Sequence, residues 1–129
     1  MTGFVGNIEE LTEDNSFFRK VLYTGKFTQL VLMCLQPGEE IGSEVHDTVD
    51  QFFRIEEGEA KFVFSNGEEH FVHGDDAVIV PAGTVHNVIN TSKKEPLRLY
   101  TLYSPPNHPD GTLHKTKVEA EEAEKHEHH

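Results

Sequence analysis

One cysteine, Cys34, is the only thiol in this 129-residue chain, so no internal disulfide can form. A reducing compartment, the cytoplasm, is the expected setting. No apolar stretch approaches the ~20 residues needed to cross a bilayer. The segment from Met1 to Asp14 is acidic and lacks the apolar run of a signal peptide. Basic residues are scarce as well: 11 against 23 acidic ones give a net charge of −12. That field repels nucleic acid and anionic lipid, which makes both poor partners and implies a solvated acidic surface. No glycine-rich loop follows a strand and opens a helix, so nucleotide binding has no support. No repeat of solenoid length is present. The length suits one domain with a real core, and not two.

What is there reads as all-β. Leu30 to Leu35 and Ala77 to Val80 are continuous apolar runs of strand length, the pattern of strands buried on both faces. Phe52 to Ile55 and Lys61 to Phe64 are rich in aromatic and β-branched residues, which again favours strand. Asn66-Gly67 predicts a tight type I′ hairpin, and turns recur at Glu57 to Glu59 and His73 to Asp76. Strands broken by turns at such short intervals argue for a sandwich or a barrel. The expected division is an N-terminal arm and first strand over 1–27, a barrel over 28–104, and a loop with a polar, flexible tail over 105–129. Ile8 to Phe18 reads as a short helix or irregular arm. Prolines 105, 106 and 109 rule out a central strand there and predict a fixed surface loop. Val118 to Lys125 is helix-permissive with almost no apolar face, which fits a frayed helix or a disordered tail.

Two stretches carry the chemistry. Pro81-Ala82-Gly83-Thr84-Val85-His86, closing at Asn90, is a sharp turn feeding a short strand that brings an imidazole inward. Upstream, Gly38 to Gly58 contains Glu44-Val45-His46 and Gln51. In this order the features resemble the two motifs of the cupin superfamily. More narrowly, they resemble its small single-domain members called mannose-6-phosphate isomerase-like, whose recurrent ending is similar to Tyr103 through Gly111. The resemblance covers about residues 28–104 and implies an antiparallel jelly-roll β-barrel with one metal inside. It also marks two departures: Glu44 stands where most metal cupins have a first histidine, and Gln51 where they have a glutamate. The ligand set implied is Glu44, His46, Gln51 and His86. Three histidines with a glutamate and two histidines with a glutamate and a glutamine both contribute one negative charge, so the balance is unchanged. Glu44 and His46 are two apart, and a strand puts both on one face. Gln51 shares strand parity with Phe53 and Ile55. Neutral imidazole and carboxylate suit Fe²⁺, Mn²⁺, Zn²⁺, Ni²⁺ or Co²⁺, and the sequence does not choose among them.

Other residues rank below these. Met33 and Phe53 are candidates to line an apolar, substrate-binding pocket, with plain core packing as the competing reading. Tyr100, Tyr103 and His108 are candidate acids or bases. His108 and His114 otherwise fix loops by hydrogen bonds. His70 and His73 read as surface residues, and His126, His128 and His129 as a solvated tail that binds metal weakly. Three functions fit: a metal-dependent enzyme on a small organic molecule, with oxygenase, isomerase or lyase chemistry; a non-catalytic small-ligand sensor or carrier; and a module whose metal only ties strands together. Phe17-Phe18 and Leu30 to Leu35 read as surplus apolar surface, which predicts a homodimer.

Overall fold

The computed structural model describes residues 2–127, so His128 and His129 of the expected histidine tail lie outside the described residues. The chain runs through a short helix α1 (Ile8–Glu13), strands β1 (Arg19–Thr24), β2 (Gln29–Leu35), β3 (Asp50–Glu57), β4 (Glu59–Phe64), β5 (Glu69–His73), β6 (Ala77–Val80), β7 (His86–Asn90), β8 (Leu97–Ser104) and β9 (Leu113–His114), and a closing helix α2 (Lys117–Glu127). A six-stranded sheet has the order β6-β3-β8-β2-β1-β9, and a three-stranded sheet the order β5-β4-β7. All the strand pairings are antiparallel. The all-β, jelly-roll reading of the sequence therefore stands.

The core lies between the two sheets. In β3 the pleat turns Gln51, Phe53 and Ile55 inward, and in β7 it does the same for His86, Val88 and Asn90. Phe53 and Phe62 are fully buried and meet edge to face, with ring centroids 5.0 Å apart. Each such ring contributes roughly 1.5–3 kcal/mol of burial free energy. Every residue of β2 is buried, as its continuous apolar run predicts. Its outer face is covered because α1 packs on β2, β3 and β8, and the Cys34 amide donates to the Phe17 carbonyl. The surplus read from Phe18 and Leu30 to Leu35 is thus consumed within the chain.

Two local expectations are corrected. Ala77 to Val80 is not doubly buried: β6 is an edge strand paired only with β3, and Ile79 is 67% exposed. The Asn66-Gly67 hairpin is not type I′, because Asn66 does not take a positive φ. Gly67 alone does, at 91°. Its amide donates to the Phe64 carbonyl, and the Phe64 amide to the Glu68 carbonyl, which makes a three-residue loop ending in a glycine bulge. The glycine that closes the first motif is required on two counts. Gly58 has φ 98°, and a Cβ there would lie 2.6 Å from the Pro96 carbonyl oxygen.

Helix α2 forms despite its polar composition. Ala120, 2% exposed, is the small apolar contact that seats it against the barrel.

Candidate metal centre

The Pro81–Thr84 turn sets the position of His86. Gly83, at φ 83°, holds the third position, where a type II turn needs positive φ. The turn is tied on both sides: the Ala82 amide donates to Asp50 Oδ1 at 2.9 Å, and the Gly83 amide to the His46 carbonyl at 2.9 Å. Glu44 does not lie on a regular strand. It forms an isolated antiparallel bridge with His86, each amide donating to the other's carbonyl at 2.8 and 2.9 Å. Residues directly opposite in such a bridge project to the same face, so Glu44 joins His86 on the barrel interior. His46, two residues on, follows them. Gln51 arrives from β3, where it pairs with Val80 on one side and Tyr103 on the other.

The side chains form a partly unsatisfied group. His86 Nδ1 lies 3.0 Å from the Thr84 carbonyl oxygen. A carbonyl only accepts, so Nδ1 carries the proton and the lone pair is on Nε2. The His46 and His86 ring centroids are 5.9 Å apart. His46 Nε2 sits 3.7 Å from a Glu44 carboxylate oxygen, beyond hydrogen-bond reach, and though buried has no hydrogen-bond partner among the described residues. Gln51 donates its amide to Thr101 Oγ1 at 3.0 Å, while its buried Oε1 has no hydrogen-bond partner among the described residues. Burial pushes the Glu44 carboxyl up to about 7, against the pull of Arg19. Burial holds both imidazoles below the ordinary histidine range, reinforced at His46 by His86 and Arg19. The Glu44–His46 contact is therefore not a strong ion pair. Buried acceptors without donors are costly, and a cation would satisfy them. On the chemistry of the donors and their orphaned atoms, the four residues fit a divalent metal. Among the described residues, the acidic trio Glu9, Glu13 and Glu56 brings its oxygens within 4.8 Å of one another, whereas the donor atoms of Glu44, His46 and His86 are spread wider; in the trio Glu9 and Glu13 are exposed, and Glu56 is paired with Arg54.

A cleft of about 540 Å³ opens above the group, lined by residues 43–49, Asn107, His108 and Glu124. Met33 and Phe53 do not line it. Both are fully buried in the core, Phe53 stacking edge-on to His86 at 6.1 Å. An apolar substrate wall at those two positions is corrected accordingly, because the pleat that brings Gln51 to the site also carries Phe53 beneath it. His108 Nε2 lies 3.2 Å from the Tyr103 hydroxyl, and the Tyr103 ring is edge-on to His46 at 5.7 Å. Burial first, then Arg19 and His46, drives His108 down to about 3, so it is neutral. Burial raises Tyr103, with Glu44 adding to it. Tyr100 instead stacks near Phe52 on the outer face. His70 and His73 are exposed, as expected.

Three contributors escaped the sequence reading. Gln29, fully buried, accepts from the Asn107 and His108 amides at 3.1 and 3.0 Å and donates to the His108 carbonyl at 2.8 Å. That clamp fixes the proline-rich loop and with it the His108 ring. Arg19 is 2% exposed, and Glu124 on α2 lies 3.9 Å from it. Gln29 and Arg19 had a readable signal, since each shares parity with inward-facing apolar neighbours: Val31 and Met33 for Gln29, Val21 for Arg19. Glu124 had none.

Residues 31–103 match the model of the cupin domain family. The chain is a cupin. It is 50% identical over 126 residues to the uncharacterized protein YrkC of Bacillus subtilis (strain 168), covering 94% of this cupin and 67% of that protein. It is 40% identical over 112 residues to the uncharacterized protein L612 of Acanthamoeba polyphaga mimivirus, covering 85% and 70%. The crystal structure of BH2720 from Bacillus halodurans is 45% identical, with a TM-score of 0.89 over 92% of this cupin and 93% of that chain. An uncharacterized conserved protein from Klebsiella pneumoniae with a double-stranded β-helix domain shares the fold at 23% identity. Its TM-score is 0.69, over 88% of this cupin and 99% of that chain. Among the described residues no helix is long and apolar enough to cross a membrane.

Proposed function

We propose that this cupin holds one divalent transition-metal ion on Glu44, His46, Gln51 and His86, and that the cleft above takes a small organic molecule. The observation that carries the reading is His86: its Nδ1 is spent on the Thr84 carbonyl, leaving Nε2 as the donor beside the unpartnered Nε2 of His46. When bound, Fe²⁺, Mn²⁺, Zn²⁺, Ni²⁺ or Co²⁺ supplies Lewis acidity toward substrate oxygens. The chain supplies the rest. Glu44 gives the one formal negative charge of the set. His108, which lines the cleft, and the buried Tyr103 behind it form a pair that holds a proton on the phenol and an acceptor on the neutral imidazole. Gln29 keeps that pair aligned. The pair favours chemistry of oxygenase, isomerase or lyase type over storage of a ligand. The mannose-6-phosphate isomerase-like subgroup stays a resemblance in the Tyr103–Gly111 ending and names no reaction.

A non-catalytic sensor or carrier with a structural ion is the second reading. It is favoured by the narrowness of the void bounded by His46, Gln51, Thr84 and His86. We also propose a cytoplasmic homodimer, with exposed Phe71 and Ile79 as its apolar surface, for which light scattering after size exclusion is the check.

The metal reading is tested by elemental analysis of untagged protein carrying His126→Gln, His128→Gln and His129→Gln, which removes the histidine tail without cutting α2. One equivalent of transition metal, lost in His86→Ala, is the expected result. No metal, or metal unchanged by His86→Ala, overturns it.

A further inference from the structure

Among the described residues, Arg19 is the one buried residue with a permanent charge, at 2% exposure. Its neighbours satisfy it only in part: the guanidinium lies over the Phe18 ring, 5.3 Å from its centroid, and makes long polar contacts. Nη1 lies 3.4 Å from His114 Nδ1 and 3.9 Å from Glu124 Oε1, and the buried Nε has no hydrogen-bond partner among the described residues. A guanidinium presents a planar fork of donors that matches a carboxylate at two short hydrogen bonds, about 2.7–2.9 Å each. Glu124 meets that fork at a distance too long for either. Yet the placement is directed. Ala120 and Glu124 are four residues apart on α2, so the contact that seats the helix turns Glu124 toward the same barrel end. Glu124 lines the cleft alongside Glu44, His46 and His108, and its side chain is 46% exposed.

We propose that Arg19, which lies behind Glu124 and outside the lining of the cleft, forms with the cleft a subsite for a carboxylate-bearing small molecule once Glu124 turns away, and that Glu124 stands in the place of that ligand's carboxylate. The location rests on the proposed reading of the cleft as a small-molecule site; the interaction rests on Arg19 and does not need the metal. A carboxylate of a ligand reaches the fork with two bonds and supplies the partner that Nε lacks, while Glu124, already half exposed, turns out to solvent. Charge agrees with this. Without Glu124, the acidic residues lining the cleft are Glu44, whose carboxyl burial raises toward the neutral form, and Asp47, so the guanidinium of Arg19 is what would draw an anion there against the −12 background of the chain. A neutral ligand that displaced Glu124 would leave Arg19 without a carboxylate, which disfavours it.

The test is rescue of a missing carboxylate. Full-length wild type, Glu124→Ala, and Glu124→Ala combined with Arg19→Gln are stripped with chelator and melted in acetate, acetamide or chloride at matched ionic strength. A ligand that binds only the folded state raises the melting temperature. Acetate should raise that of Glu124→Ala by several degrees, and wild type by much less because Glu124 competes. Acetamide should shift neither. The Arg19→Gln combination should lose the response. If it does not fold, Arg19→Lys, a point charge without the fork, should lose at least half of it. Equal shifts in wild type and Glu124→Ala, equal effects of acetate and acetamide, or an undiminished response in the Arg19 variants overturn the proposal. Metal titration of Glu124→Ala separates the two readings. An acetate response without metal binding removes only the metal, and metal binding without an acetate response removes only the subsite.

Discussion

The two ends of strand β7 differ in one respect that organises the molecule. Both carry a buried polar side chain on the inner face, His86 at one end and Asn90 at the other, about 13 Å apart at the usual rise of a strand. Asn90 is saturated. Its Nδ2 donates toward the carbonyls of Leu35, Gln36 and Glu95 at 3.2, 3.2 and 2.9 Å, and its Oδ1 accepts from the Ser92 amide at 2.9 Å. Around His86 the bookkeeping fails: among the described residues, the buried His46 Nε2 and Gln51 Oε1 have no hydrogen-bond partner, and neither does Arg19 Nε further off. One end is fully hydrogen-bonded into the barrel, and the other carries polar atoms that the described residues leave unpartnered.

Crossed substitutions test that contrast most directly. An outer partner of a metal ligand is worth about 10–100-fold in affinity, so losing the His86 ligand itself should cost at least about 100-fold in a metal titration. The His86→Ala barrel should still fold, by circular dichroism. Asn90→Ala should do the reverse, leaving metal stoichiometry intact while denaturant unfolding shows a loss of about 2–3 kcal/mol from the orphaned carbonyls. If both variants lose both properties, the two ends are not separable and the comparison breaks.

Glu44→Gln should come next in size, with a loss of metal affinity approaching that of His86→Ala, since a dication needs the negative charge. Its structure should suffer little, because an underpaired buried carboxylate is relieved. Combining Glu44→His with Gln51→Glu restores three histidines and a glutamate at unchanged charge, and calorimetric titration should still find metal. Full affinity in Glu44→Gln would reduce the site to its two histidines.

The pH dependence is smaller and has a definite sign. With Glu44 raised from 4.5 to about 7 in the folded chain, the metal-free protein loses stability as pH rises through that interval, by on the order of 1–3 kcal/mol. Below it the carboxyl is protonated in both states and contributes nothing; above it the penalty is constant. His46 and His86, lowered by burial, act oppositely and lose stability as pH falls below 6.5. The difference between wild type and Glu44→Gln isolates the carboxylate. A difference that stays flat from pH 4.5 to 7 in chelator would show that Glu44 is solvated. The mildest change should be Gln51→Ala, whose neutral amide oxygen contributes little charge: metal affinity should fall far less than in His86→Ala. If Gln51→Ala proves the more damaging, the ranking of ligands is wrong.

Much of this was legible in the chain before its fold, because strand parity is a local property. Gln51, Phe53 and Ile55 face inward as their alternation requires, and the Pro81–His86 turn marks the start of β7. Where local pattern misled, a long-range partner had intervened. Ala77 to Val80 looks central but lies at an edge, because nothing in its residues says that only β3 pairs with it. Glu44 reaches the site through a bridge to His86 rather than a regular strand, although its two-residue spacing from His46 gave the right face. Arg19 and Gln29 could have been found as polar residues on an inward parity. Glu124 could not, since its approach depends on where one alanine docks a helix far along the chain.

The bridge between Glu44 and His86 also governs which changes in length the chain tolerates. Asp47 and Thr48, exposed between His46 and Gln51, form slack in which an extra residue is absorbed without moving either neighbour's face. Strand β7 has no slack. One residue inserted at Val88 would reverse the alternation for everything beyond it, sending either His86 or Asn90 outward and so sacrificing either the site or the lock. Insertions and deletions should accumulate in the first segment and be absent from the second, a pattern of lengths rather than of residue identities.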